Sequence, residues 1–355
     1  MNSKRIVGLD ILRFLSMLGI VGLHVINAGG MLDGNASKLN MGISGILLVI
    51  CYSSVNIFAM LSGYLYAGRE NIKSSNLIKL LISTVFFCAA VTVSFLAFKA
   101  IPDNTAKLTF QGFFPFAAGR YWYLVCYIFL FLMIPYINKL TAYLSQRSFC
   151  TMLIILFLLL SVYDTASPVK YFYVGDGYSP VWLIFCYLTG SYVKLHSEVF
   201  RKLSPTLCIF LSLVSNAIAF GIWFLFKKTA YYHYNSPFTV ISAVMLLIGF
   251  SKINFQSPFI TKVFRSLSDS AFSVYIIHAH MYIMDYLLTG CLNSYLKSNP
   301  VIVLCLTLGI IIAVYFAGWL AHIIKQFIFR FARLDKAADF LGSKLDWVLH
   351  QKITN

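Results

Sequence analysis

The sequence predicts an all-α polytopic membrane protein, with about ten transmembrane helices around a polar cavity and both termini in the cytoplasm. Three observations lead there. Of the 355 residues, 59% are hydrophobic and only 11% charged, with a mean hydropathy of +0.79; a soluble domain carries roughly 25% charged residues. Runs such as GISGILLVICYSSVNIFAMLSGYL and VIVLCLTLGIIIAVYFAGWL approach the ~20 apolar residues that cross a bilayer. The basic residues, finally, are sorted between the segments that join these runs.

Taken in order, the spans fall at about 6–27, 41–67, 76–99, 121–138, 149–163, 179–195, 203–226, 236–250, 271–289 and 299–324. The first lacks a small-residue cleavage site and is followed by many others, so it reads as a retained helix. The runs near 149, 179 and 236 are short, which points to tilt or to burial among other helices. With the N-terminus inside, 18 of the 28 Lys and Arg residues fall on the inner side and 8 on the outer, while Arg13 and Lys79 fall inside spans. That bias is the one the positive-inside rule requires. It places the chain as multi-pass in a cell membrane, in contact with lipid.

No connecting loop is long enough to form a domain, so residues 1–355 read as one membrane-embedded unit. The tail from about 330 to 355 spaces Phe331, Leu334, Ala338, Leu341, Leu345 and Val348 as an amphipathic helix would, suited to lie along the inner membrane surface. The net charge of +16 is spread among the loops, which argues against a nucleic-acid partner. The eight cysteines lack C-x-x-C spacing and lie mostly inside apolar runs, so they read as small buried hydrophobes with no metal site. The outer stretches TFQGFFPFAAGRYWY and KYFYVGDGYSP are rich in aromatics. They suit an interfacial belt, and equally a platform for sugar rings.

The first span, DILRFLSMLGIVGLH, carries three ionisable side chains. Arg13 and His24 are eleven residues apart, roughly three turns and about 16 Å, and so share a face. Asp10, three residues before Arg13, projects from nearly the same face and could pair with it. Such a stripe must face the protein interior or a wet cavity, because ions facing lipid are costly. Two readings remain open: an ion pair that packs helices beside an interfacial His24, or a polar path across the membrane with His24 as a base. His278 and Asp285 are seven residues apart in the ninth span, almost two turns, and would make a second polar stripe.

These residues resemble the acyltransferase-3 family of integral-membrane O-acyltransferases. LDILRFLSMLGIVGLH is similar to that family's opening motif of an Arg, ten residues and a His. NIFAMLSGYL, RYWYLVCYIFLFLMIPYIN and SDSAFSVYIIHAH resemble its later landmarks, in order, over about residues 5–325. The resemblance implies transfer of an acyl group, commonly acetyl, from cytoplasmic acyl-coenzyme A (acetyl-CoA as a donor substrate, with no bound cofactor) to a hydroxyl of an extracytoplasmic glycan or its lipid-linked precursor. It implies a catalytic group of His24, Arg13 and His278, to which helical spacing adds Asp10. Arg69 and Lys73 stand near where the family carries a basic pair for the donor. Ser62, Trp122, Tyr123 and Tyr275 are implied as substrate-side residues, to which the second polar stripe adds Asp285, and a bacterial plasma membrane is implied as the setting. His24 could act as a general base or carry the acyl group. A proton-coupled transporter would also need Asp, Arg and His inside the membrane, and a non-catalytic partner in polysaccharide assembly is a third class.

Overall fold

The computed structural model describes residues 5–351 apart from 33, 70–71, 102–104 and 256, and without the side chains of 117 and 348–351. Lys4 and Lys352 of the charge count, and the last residues of the tail, lie outside the described residues. The described residues form helices and connecting turns, with no strand among them. The long helices are α1 (Val7–Ala28), α2 (Lys38–Tyr66), α3 (Ser74–Ala97), α4 (Trp122–Ala142), α5 (Gln146–Ala166), α6 (Pro180–Leu195), α7 (Pro205–Phe226), α8 (Pro237–Ser251), α9 (Pro258–His278), α10 (Pro300–Phe331) and α11 (Leu334–Gln351). Among the described residues, eight helices are long and apolar enough to cross a bilayer, the one that contains α8 being counted from Thr229. Two others, α6 and α9, pack inside the same bundle.

Local chemistry starts several of these helices in the same way. Ser179, Ser204 and Ser257 each precede a proline, and their hydroxyls accept the backbone N–H of Trp182, Leu207 and Ile260. Asn299 does the same before Pro300, accepting from Val301. Proline at the first helical position has no N–H to leave unpaired, and the cap satisfies one of the donors that follow.

Burial separates an inner pair of helices from an outer ring. The apolar windows of α1 and α2 are 61% and 72% buried, whereas those of α3, α5, α7 and α10 are each 28% buried. The outer helices turn side chains such as Phe210, Leu213, Ile312, Phe316 and Leu320 outward, as a lipid-facing surface demands. α6 is short because it is interior, with Trp182, Cys186 and Tyr187 fully buried. Its backbone lies directly against α2: a Cβ on Gly63 would stand 2.0 Å from the Tyr187 carbonyl oxygen, and one on Gly190 would stand 1.9 Å from that of Met60. Small residues permit this approach, and dispersion contacts hold it where lipid offers no hydrophobic drive.

One sequence expectation is corrected here. The ninth span, expected at 271–289, is a helix that starts at Pro258 and ends at His278. Beyond it the chain breaks, and the His280 side chain accepts the Tyr282 N–H to start a short new turn. The tail helix α11 docks on the start of α3 through Ser74 N–H to Asp346 (3.0 Å), the Lys79–Asp339 ion pair (2.8 Å) and close contact of Gly342 with Ser75. Its Phe340, Leu341 and Trp347 remain exposed beside that contact.

Candidate active site

One face of α1 carries both Arg13 and His24, as the helical spacing requires, and each opens onto a different chamber. The larger chamber, about 990 Å³, lies at the end of the bundle where α1 starts and α10 finishes. Arg13, Ser62, Arg69, Lys79, Tyr123 and Arg265 are among the residues that line it. A side chamber of about 290 Å³ shares Arg13 and Arg69 and adds Lys194.

The charges of this chamber are unevenly paired. Asp10 was expected to hold Arg13; instead Arg5, just before the helix, takes it in a two-pronged contact at 2.7 Å on each oxygen. The same guanidinium also reaches Asp269 of α9 at 2.8 Å. A fork that satisfies two carboxylates outcompetes a neighbour three residues along the helix. Among the described residues Arg13 therefore keeps a long contact to Ser268 Oγ, 3.5 Å. Arg69 lies over the Tyr66 ring at 5.4 Å. Neither Arg13 nor Arg69 has a carboxylate partner among the described residues, and both guanidiniums line the cavity.

Arg69 is held in place from α4. Asn138 donates its amide to the Tyr66 and Arg69 carbonyls (2.8 and 2.9 Å) and accepts the Tyr187 hydroxyl (2.8 Å), fastening the end of α2. Lys73 immediately precedes α3 and is absent from the lining of either chamber, whereas Lys79 lines the large one.

A small pocket of about 40 Å³ lies deeper, lined by His24 with Met17, Ile20, Val55, Phe58, Trp122, Tyr123, Tyr234, Phe272 and Tyr275. Phe58, Tyr123 and Phe272 also line the large chamber and so form the boundary between the two. Trp122, Tyr178 and Tyr234 pack together beside His24, with ring centres 4.6 to 5.7 Å apart. Asn56 anchors this cluster by donating to the Tyr234 carbonyl (2.7 Å) while accepting the Trp182 indole N–H (2.9 Å).

His24 and His278 meet although 254 residues separate them: His24 Nδ1 lies 2.9 Å from His278 Nε2. Their protonation follows from a chain of partners. His278 Nδ1 is 2.6 Å from the Val274 carbonyl oxygen, which can only accept, so that nitrogen carries the proton. A neutral His278 then presents a bare Nε2, and His24 Nδ1–H donates to it. His24 Nε2 is left without a proton, as a free base on the pocket side of the network.

The structure thus joins His24, Trp122, Tyr123 and Tyr275 around one pocket, with His278 bonded to His24, and Arg13, Ser62 and Arg69 around the chamber next to it. Asp10 faces Arg5. Asp285 does not share a face with His278, because α9 ends first; it pairs with Arg120 at 3.1 Å on the half-exposed rim. The boundary residues Phe58 and Phe272, the anchors Asn56 and Asn138, and Tyr234 were not legible as site residues. Lys79 carried a usable signal, since an ion inside an apolar run is a functional pointer by default.

The acyltransferase-3 family model, described as an acyltransferase domain, matches residues 6–319, nearly the whole chain. No curated protein and no solved structure matches. A multi-pass helical protein matched over nearly its whole length, the chain belongs to the acyltransferase-3 family of acyltransferases.

Proposed function

We propose that the protein transfers an acetyl group from cytoplasmic acetyl-coenzyme A to a hydroxyl of an extracytoplasmic or lipid-linked glycan, with His24 as the general base. The observation that carries this reading is the Val274–His278–His24 chain, which leaves His24 Nε2 unprotonated in a pocket adjoining a cationic chamber. In this reading α6 and α9 also cross the membrane, giving ten crossings with both termini cytoplasmic in a bacterial plasma membrane.

The donor is a large polyanion that cannot enter lipid. A chamber of about 990 Å³ in which Arg13 and Arg69 have no carboxylate partner among the described residues suits its phosphates, and guanidinium forks match phosphate oxygens better than ammonium groups do. The thioester end would pass the Phe58–Tyr123–Phe272 boundary. About 40 Å³ beyond it accommodates roughly three water-sized groups at 10–15 Å³ each, which is the size of an acetyl group. On the far side, the Trp122–Tyr178–Tyr234 cluster offers flat apolar faces suited to a sugar ring.

The acceptor hydroxyl gives its proton to His24 Nε2 as its oxygen attacks the thioester carbon. The imidazolium that forms is stabilised through the Nδ1–H bond to His278 Nε2, which strengthens as charge develops. The same proton then serves the departing thiolate.

Purified protein in lipid, given acetyl-labelled acetyl-coenzyme A and the glycans of its host envelope, should place the label in an alkali-labile ester on a glycan. Movement of a solute into vesicles with no label transferred would support a transporter and defeat this reading.

A further inference from the structure

We infer that Tyr123 is a catalytic residue whose hydroxyl donates to the oxyanion formed when the thioester is attacked. The inference rests on the acyl-transfer reading above. Tyr123 lines both the chamber assigned to the donor and the pocket that holds His24, at the boundary any acyl group must pass. Its hydroxyl is buried and has no hydrogen-bond partner among the described residues. A buried hydroxyl without a partner costs stability and calls for an explanation. Neighbouring tyrosines show how such groups are ordinarily satisfied: Tyr121 donates to the Ile276 carbonyl at 2.6 Å and Tyr187 to Asn138 at 2.8 Å. Tyr123 alone of these three keeps its donor free at the boundary.

The ring is also fixed. Tyr127 stacks beside it at 6.1 Å between centres, Tyr275 meets it edge-on at 6.1 Å, and Trp122 lies at 5.7 Å. A donor held still before the reaction needs no reorganisation when charge appears, which is what oxyanion stabilisation requires.

The step balances. The acceptor oxygen forms a bond to the thioester carbon while its proton passes to His24 Nε2. The carbonyl π pair moves onto oxygen, which accepts the Tyr123 O–H. The adduct collapses with cleavage of the carbon–sulfur bond, and the thiolate takes the proton back from His24. Ester and free thiol result, and both residues return to their starting states.

Tyr123→Phe removes only the hydroxyl. Because that hydroxyl has no partner among the described residues, the variant should melt no lower than wild type, and its KM for acetyl-coenzyme A should stay within about threefold. Its kcat should fall by about 10²–10³, the loss seen when one oxyanion donor is removed. A kcat within threefold of wild type would overturn the inference, as would a loss that accompanies a lowered melting temperature. If wild-type protein itself transfers no acyl group, the functional reading fails; wild-type transfer with an undiminished Tyr123→Phe defeats this inference alone.

Discussion

Replacing His278 with leucine isolates the contact between the two histidines. His278 is buried, accepts from His24 Nδ1–H across 2.9 Å, and does not line the large chamber. A neutral hydrogen bond contributes about 0.5–1.5 kcal/mol, and one to a charged group about 1.5–3 kcal/mol. The difference, about 1–1.5 kcal/mol, is what His278 adds as His24 becomes an imidazolium. At 1.36 kcal/mol per decade this amounts to roughly 5–13-fold in kcat. His278→Leu should therefore lower kcat by that amount and leave the KM for acetyl-coenzyme A unchanged. In His278→Gln an amide oxygen can still accept from His24, so its rate should lie between those of leucine and wild type. Initial rates of label transfer by purified protein in lipid read both constants. Two results would refute the reasoning: a His278→Leu rate equal to wild type, or one as low as the rate after removal of His24, which would make His278 the base itself.

Two further outcomes concern the donor. Arg13→Lys keeps a charge but loses the planar fork, so donor affinity measured by isothermal titration should fall about tenfold, and unchanged affinity would remove Arg13 from the donor site. Phe58→Ala widens the boundary between the chambers, so the kcat/KM ratio of butyryl- to acetyl-coenzyme A should rise at least tenfold, and an unchanged ratio would place the size limit elsewhere.

The bundle was legible because lipid enforces long apolar helices, and the serine–proline and asparagine–proline pairs mark where several begin. Ser257–Pro258 is the same signal as Ser179–Pro180 and Ser204–Pro205, yet apolarity placed the ninth span too late. The first half of α9 carries Lys262, Arg265 and Asp269, which mask it in a hydropathy reading but face the large chamber through Arg265 and Asp269. That shift also misplaced Asp285. The Asp10 partner was illegible for another reason: spacing along one helix favours Arg13, and only the fold brings Asp269 to Arg5 and makes the competing clamp. His24 and Arg13 could be singled out because charge inside an apolar run is rare. The pairing of His24 with His278 depends on the approach of α1 and α9, which no local pattern encodes.

The central claim is that His24 takes the acceptor's proton, and His24→Gln tests it most directly. Glutamine keeps hydrogen bonding but cannot act as a base. With acetyl-labelled donor and glycan acceptor, the variant should bind acetyl-coenzyme A within about twofold of wild type and transfer acetyl about 10²–10⁴ more slowly. A His24→Gln protein that transfers acetyl at a near-normal rate would contradict the account.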